Sequence, residues 1–533
     1  MMARVRRWME KHPRILTFYV VGAVVTALLF LLARSAGDYY GWGYVAAAVM
    51  LVFAFRPHSA LHRPTMERFG VFKIVCTLLV VLVTIAACVR PMGDLSLWNG
   101  EDPGHRNQYE LMAEAILDGH IDLHYNDGTE DTLVQLENPY DPAQREGHTY
   151  HWDHAYYEGH YYMYFGVTPV FLTFLPYRAI TGETLPTYQA TQVFVAVFIV
   201  GIFMLFRLLS KRFFAKLPFS VYLALSMAVS VMSVWYATAE PALYCTAITA
   251  AIALQVWSFY FFIKAVYVEK RENRQILLAA VGALLGALVF GCRPTIALAN
   301  LLVIPMLVAF LRQRKFSWGL LGKLSLAALP YLVVGGLLML YNYVRFDSPF
   351  EFGQAYQLTV ADQTAYAVKL NKESILKIFN GYLQTFFYVG SWKETFPYTH
   401  ASGVLWNFPL ILLCVTAFRG ASMRRLHKER MLAVAWGLPL VSLLIVAMGI
   451  LWTPYWLERY NMDIYFLLGI AAFVAIGFWY ASCGQRRQKY LSCGLMVLAG
   501  VTVVSSLLYY VGTVGNYYPE KVREIANALH LAW

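Results

Sequence analysis

The chain has 533 residues, of which 59% are hydrophobic and only 14% charged. A water-soluble protein of this length needs roughly 25% charged residues to cover its surface, so that class is excluded, and the composition fits neither a disordered, a collagen-like nor a coiled-coil chain. The net charge of +11 raises the question of a nucleic-acid partner, which only the placement of the charges can answer.

In chain order, apolar stretches predict thirteen transmembrane helices near 15–33, 40–55, 71–89, 186–209, 218–237, 241–265, 275–292, 294–311, 319–343, 403–418, 431–451, 460–481 and 490–512. A run such as 71–89 makes about 28 Å of helix, enough for the hydrocarbon core. The runs are continuous rather than alternating, which excludes a porin-like barrel. The expected fold is therefore an all-α polytopic membrane protein. With the N-terminus inside, an odd number of spans leaves the C-terminus outside.

The charges obey that topology. The segments on the inner side (1–14, 56–73, 207–216, 264–274, 312–323, 419–430 and 486–489) hold 29 of the 43 Lys and Arg but five acids, Glu10, Glu67, Glu269, Glu272 and Glu429. The other face is left with 14 basic and 27 acidic residues. This is the positive-inside distribution, and it removes the need for nucleic acid as a partner. It implies a multi-pass protein of the cell membrane, expected to be a bacterial plasma membrane. The seven cysteines, at 76, 88, 245, 292, 414, 483 and 493, lie within or beside apolar runs, so no disulfide framework and no CxxC metal spacing is present. The first apolar run reads as a signal anchor rather than a cleavable leader.

Two outer segments, 90–185 and 344–402, are too long to be mere connectors. They divide the chain into two extra N-terminal spans (1–70), a core (71–343) that includes the first loop, the second loop, and a variable C-terminal set of spans (403–533). In the first loop, NQYELMAEAIL (107–117) places Tyr109, Met112 and Ile116 on one helical face and Glu110 and Glu114 on another, which predicts an amphipathic helix lying on the membrane. In the second, ESILKIFNGYLQTFF (373–387) aligns Ile375, Phe379, Tyr382 and Phe386. A lid with only a packing role would show the same stripes. The run 166–180 is read as a juxtamembrane or re-entrant helix, because counting it as a span would move every later basic loop outside.

Ionisable residues recur at the outer ends of the spans. WNGEDPGHRNQY places Glu101, Asp102 and Arg106 just past the helix 71–89, where a carboxylate can act as general base on an acceptor hydroxyl or amine, or help hold a metal; a solvated acidic loop is the plainer alternative. Around ENPYDPAQREGHTYHWDHAYYEGHYYMYFG, His151, Asp153 and His154 offer metal-ligand chemistry without the spacing of a closed site. Tyr150, Trp152, Tyr156, Tyr157, Tyr161 and Tyr162 fit an interfacial aromatic belt better, and such rings also stack on sugars. Glu240 lies in the short turn WYATAEPALY, either as a functional acid or as a cap of the next helix. Arg293, in FGCRPTIA, can hold a lipid phosphate or snorkel to headgroups. Glu458, Arg459 and Asp463 in TPYWLERYNMDIY return to the same surface.

The order of these features resembles the GT-C superfamily of integral membrane glycosyltransferases. That superfamily includes protein O-mannosyltransferases, the oligosaccharyltransferase catalytic subunit and the bacterial lipid A aminoarabinose transferase. The resemblance spans roughly the helices 71–89 to 319–343. Its acidic pair followed by Tyr is matched by Glu101-Asp102 with Tyr109, in reversed order and wider spacing, which leaves open which acid is catalytic. Its second acidic turn is similar to Tyr236-Ala237-Thr238-Ala239-Glu240-Pro241, its basic residue before proline to Arg293-Pro294, and a late Arg-Tyr segment to Arg459-Tyr460.

What the resemblance implies is an inverting transferase that moves a sugar from a polyprenyl-phosphate donor to a glycan, lipid or protein acceptor at the outer face. Asp102, Glu101 and Glu240 are then the catalytic candidates, and Arg106, Tyr109, Arg293, Arg459, Trp152 and Asp153 the binding candidates. The sequence specifies no cofactor, and a divalent cation such as Mg²⁺ or Mn²⁺ is compatible with the acids. A lipid-linked donor also accounts for the absence of a GxGxxG or P-loop motif. A lipid or solute transporter and a non-catalytic envelope scaffold are the rival readings; a transporter would carry ionisable residues at mid-membrane and pseudo-symmetric halves.

Overall fold

The computed structural model of the chain describes residues 59–94, 107–125, 127–315, 317–365, 371–390, 395–397, 402–452 and 456–528. The predicted spans 15–33 and 40–55 lie outside these residues, as do Glu101, Asp102 and Arg106. Among the described residues ten helices are long and apolar enough to cross a membrane, the pattern of a multi-pass membrane protein: Val71–Gly93, Thr187–Phe213, Phe219–Ala239, Leu243–Val268, Glu272–Phe290, Pro294–Leu311, Trp318–Phe346, Leu432–Trp452, Glu458–Ala481 and Gln485–Tyr517.

Local chemistry fixes several of their ends. Pro294 opens its helix at the first turn, where a missing N–H costs nothing, and Lys211 and Arg212 close helix 187–213 against the negative end of its dipole. Spans 243–268 and 458–481 are almost wholly buried and form the centre of the bundle, whereas 71–93 and 318–346 present rows of exposed Leu and Val to the surroundings. Lipid is as apolar as leucine, so close contact rather than water exclusion must hold such helices together. Close contact is what the interior shows: Phe206 stacks on Phe473 with centroids 3.7 Å apart. Gly201 faces Trp257, Gly469 faces Val229 and Gly477 faces Phe214, at distances that leave no room for a side chain.

The predicted span 403–418 takes a different form. Val404–Asn407 is one α-turn, and Pro409–Phe418 continues as a ten-residue 3₁₀ helix. The 166–180 run is a π-turn, Val170–Phe174, leading into the short helix Leu175–Thr181.

The basic connections meet at one end of the bundle. Arg212 pairs with Glu429 at 3.1 Å and donates from Nε to the Tyr267 carbonyl at 2.8 Å, while Arg314 pairs with Glu272 at 2.6 Å. Segments 207–216, 264–274, 312–323 and 419–430 are thus neighbours, as the charge count requires.

At the opposite end the two long outer segments fold into one cap. Strands β1 (Ala155–Tyr157) and β2 (His160–Tyr162) form a hairpin whose two-residue turn, Glu158-Gly159, has both residues at positive φ (49° and 88°), the geometry that suits the strand twist. Leu123 pairs with Tyr161 on the outer side of β2, and Ala155 pairs with Gln357 on the outer side of β1. The second loop is thereby stitched to the first: Asp153 N–H donates to Leu358 O and Leu358 N–H to His154 O, each at 2.9 Å, and Arg145 reaches Thr359 O at 2.6 Å.

Candidate functional site

Helix Gln108–Asp118 lies beneath this cap. Asn107 caps its N-terminus through Tyr109 N–H at 3.1 Å, and Gly119, at φ 90°, closes it in the left-handed conformation that favours glycine. The expected polar face does not lie in water. Glu110 is buried and accepts from Thr187 Oγ1 at 3.0 Å, and Glu114 pairs with Arg178 at 2.9 Å. The helix is amphipathic in sequence but packed on both faces, because the span 187–213 and the 175–181 segment supply partners for its acids.

Tyr109 is fully buried, stacked on Phe174 at 5.2 Å, and its hydroxyl has no hydrogen-bond partner among the described residues. Burial pushes its phenol well above the ordinary value, and the Arg293 charge is close enough to oppose that shift.

Arg293 stands at the turn between two spans. This turn is held by backbone contact: Thr168 N–H donates to Gly291 O at 2.8 Å, and a Cβ on Gly166 would lie 2.3 Å from that oxygen. Only glycine allows the 166–168 segment so near. Arg293 Nε donates to both carboxylate oxygens of Asp463, at 2.9 and 2.7 Å, and Thr295 donates to the same group at 3.1 Å. Burial works against the charge of Arg293, but the Asp463 carboxylate outweighs it and holds the guanidinium above its ordinary value. Its two terminal nitrogens make no hydrogen bond among the described residues.

One turn earlier on Asp463's own helix, Arg459 forms no ion pair with a described residue. Its guanidinium lies 4.3 Å from the Tyr244 ring and 5.4 Å from the Tyr460 ring, and Arg293 lies 4.9 Å from that same Tyr460 ring. Two cations therefore flank one aromatic ring with hydrogen-bond donors to spare, the arrangement that suits an oxyanion.

The acids surround this pair. Glu240 is buried and accepts a hydrogen bond from Tyr236; Tyr517 bonds it as well. Burial raises its carboxyl above the usual range against those bonds and the nearby Arg459 charge. It does not cap the following helix, whose N-cap is Ala242; instead it ends the preceding one, its N–H bonded to Tyr236 O at 2.8 Å. Glu458 lies within electrostatic reach of Glu240, with a buried oxygen that no described residue bonds. Asp153 enters from the cap in the left-handed conformation (φ 55°) and accepts from Tyr244 at 2.5 Å and from Gln357 at 2.9 Å.

The structure thus brings Tyr109, Asp153, Glu240, Arg293 and Arg459 around Tyr244 and Tyr460. Trp152 stays exposed on the cap, 6.4 Å from Tyr150. No protein-family model matches the chain, and no curated protein matches it.

His151, Asp153 and His154 do not form a ligand set. Asp153 is engaged as described, and His151 pairs with Asp127 at 2.8 Å. His154 is buried with both ring nitrogens used: Nδ1 lies 2.9 Å from the Trp152 carbonyl, which can only accept, so Nε2 carries the lone pair that takes the Tyr125 hydroxyl at 2.5 Å. The interfacial belt is also redistributed, since Tyr156 and Tyr161 are core residues of the cap. Tyr244 and Gln357 belong to the site without having been singled out, and Asp463, noted from the sequence only as returning to the same surface, is the partner of Arg293. Only Asp463, four residues beyond Arg459 and so on the same helical face, carried a sequence signal.

Burial depresses the His154 imidazole from 6.5 to about 3. Between those values the unfolded chain binds a proton that the folded cap does not, so stability falls as pH drops through this window. The expected slope is about 1.4 kcal/mol per pH unit. Thermal unfolding of the full chain from pH 7 to 4 should show it, and His154→Gln should flatten it; an equal slope in the variant would assign the acid sensitivity to other groups.

Proposed function

We propose that the chain is a GT-C-type glycosyltransferase that takes a sugar from a polyprenyl-phosphate donor and passes it to a glycan, lipid or protein acceptor at the outer membrane face. The observation that carries this reading is the pair Arg293 and Arg459, with unpaired donors beside buried Glu240 at the end of the bundle opposite the basic loops. A phosphate on a lipid tail reaches such a place from the bilayer, and a nucleotide-binding domain is not needed to bring it.

In the reaction, the acceptor O–H or N–H gives its proton to Asp102, assisted or replaced by Glu101, while the acceptor atom attacks the anomeric carbon. The bond from that carbon to the phosphate oxygen breaks, and the electron pair leaves with the polyprenyl phosphate. Arg293 and Arg459 neutralise the departing oxyanion. Glu240, Asp153 and Tyr109 orient the acceptor and the sugar, and Trp152 adds a contact from the cap; Arg106 is assigned to donor or acceptor binding from the sequence alone. Were a divalent cation used, Glu240 and the first-loop acids would be the residues to hold it, and it would supply charge stabilisation for the departing phosphate.

The reading includes thirteen spans, an internal N-terminus, an external C-terminus and residence in a bacterial plasma membrane. Cysteines introduced at Lys270 and Arg425 should resist impermeant maleimide in intact cells, and those at Asp141 and Lys372 should label. Labelling at 425 would overturn the topology. The activity is tested by reconstituting the purified full chain in liposomes with radiolabelled polyprenyl-phosphate sugar and a mixture of envelope acceptors. Release of polyprenyl phosphate coupled to labelled product is expected, and donor that remains unbound and uncleaved would overturn the assignment.

A further inference from the structure

The cap carries a second cluster of ionisable side chains that the proposed transfer does not use. The segment after helix 108–118 reads His120-Ile121-Asp122-Leu123-His124, and Leu123 pairs antiparallel with Tyr161 of β2. In an extended pairing, side chains alternate between faces. Leu123 and Tyr161 are buried on the inner face. Asp122 and His124 must then project outward, and the register places His124 directly across from His160, where cross-strand Cβ atoms sit about 5 Å apart.

The distances agree. His124 Nε2 lies 2.5 Å and His160 Nδ1 3.6 Å from Asp122 Oδ2, while His120 Nδ1 lies 3.3 Å from Oδ1. One ligand atom from each of His120, Asp122 and His124 falls within 4.8 Å of the others, and the rings of His120 and His124 stack at 4.5 Å. Ligands on a tetrahedral ion with bonds of about 2.0–2.1 Å stand about 3.3 Å from one another, in the middle of these separations. Three imidazoles around one carboxylate is also a donor set that borderline divalent ions favour over Mg²⁺ or Ca²⁺. Without an ion, the carboxylate and the Asp122 carbonyl, 3.0 Å from His120 Nδ1, take the imidazole hydrogens.

We propose that His120, Asp122, His124 and His160 form a binding site for Zn²⁺ or a similar transition-metal ion. The site is separate from the cluster around Arg293. Its ligands come from the exit of helix 108–118 and from β2. A bound ion would therefore clip the helix that carries Tyr109 to the hairpin that carries Asp153. His120, Asp122 and His124 already bring ligand atoms together, and His160, 3.6 Å from Asp122, would move in as the fourth; with four protein donors the role is structural, with no position for a reacting water.

The test uses the full chain purified in detergent without a histidine tag, stripped with a chelator and titrated with Zn²⁺ against a chromophoric competitor. One ion per chain with a dissociation constant below about 1 µM is expected at pH 7.5. Cobalt substitution should give the intense visible bands of a four-coordinate ion. His124→Ala and His160→Ala should each weaken Zn²⁺ by about 100-fold or more, beyond the effect of removing an outer-sphere partner. His151→Ala should leave binding unchanged. Monodisperse elution of each variant checks that it folds, and Asp122→Asn serves if a histidine variant does not. Absence of binding at 10 µM Zn²⁺, or undiminished binding in both His124→Ala and His160→Ala, overturns the site.

Discussion

Arg459→Ala is expected to raise the KM for polyprenyl-phosphate sugar by about 10- to 100-fold while the protein folds normally. A hydrogen bond to a charged group contributes about 1.5–3 kcal/mol, which converts to that range when one guanidinium is lost from a phosphate. The folding part of the expectation rests on the absence of any ion pair between Arg459 and a described residue, so truncation breaks no direct pair, although buried Glu240 loses a nearby cation and its carboxyl should shift further toward the protonated form. Arg293→Ala should differ. It removes the same kind of donor but leaves Asp463, which is almost wholly buried, with Thr295 as its remaining hydrogen-bond donor. Breaking a buried pair in this way costs about 3–5 kcal/mol, so a lower melting temperature should accompany the loss of donor binding. Lysine at either position keeps the charge without the planar fork and should rescue only in part. Donor titrations and thermal unfolding on the same preparations measure both effects, and wild-type donor dependence in Arg459→Ala together with Arg293→Lys would reduce the two residues to interfacial anchors.

Asp102→Asn is expected to lower turnover by about 10² to 10⁴ while donor binding persists, the signature of a lost general base. Asp102 precedes Pro103 in the sequence, and a residue before proline disfavours helical geometry, which is the reason for preferring it to Glu101 as the base. Glu101→Gln should be milder. Glu240→Gln removes an acid whose protonation is already favoured by burial, and its expected effect is weaker acceptor use rather than the loss of proton transfer. Single-turnover measurements with pre-bound donor separate the two. Normal turnover in Asp102→Asn with a dead Glu240→Gln would exchange their roles, and normal turnover in both would place the chemistry elsewhere.

Ten of the spans were legible because an apolar run of about nineteen residues has few alternatives to crossing a bilayer, and the sequence expectation and the helix Val71–Val89 coincide at both ends. The gathering of basic loops was legible for a similar reason, since charge asymmetry is a property of whole segments and survives errors of a few residues. The pairing of residues 153–156 with 356–359 was not legible. It is a contact between strands of three or four residues, some two hundred positions apart, and nothing local distinguishes those residues from loop. For the same reason His151, Asp153 and His154 looked like one ligand set, whereas only the rings of His151 and His154 stay close, 5.6 Å apart, and the polar atoms of all three are engaged elsewhere. Alternation and a positive φ at Asp153 send their side chains to three different partners. The outward-facing His124 and the opposing His160 could be matched only once the register of Leu123 against Tyr161 was known. Glu110 was placed in water because helical periodicity reports which face is polar and not what covers it.

The 3₁₀ winding of Pro409–Phe418 changes what the segment can tolerate. At about 2.0 Å per residue its ten residues reach about 20 Å, where an α-helix would reach about 15 Å, so with the preceding turn fifteen residues cover about 26 Å. A stretch this short can therefore traverse most of an apolar slab about 30 Å thick. Each residue is also worth more length there than in an α-helical span, and side chains three apart stand in line. A single-residue deletion would shorten the reach by about 2 Å and rotate everything beyond it by a third of a turn, a larger displacement on both counts than the same deletion makes in an α-helix.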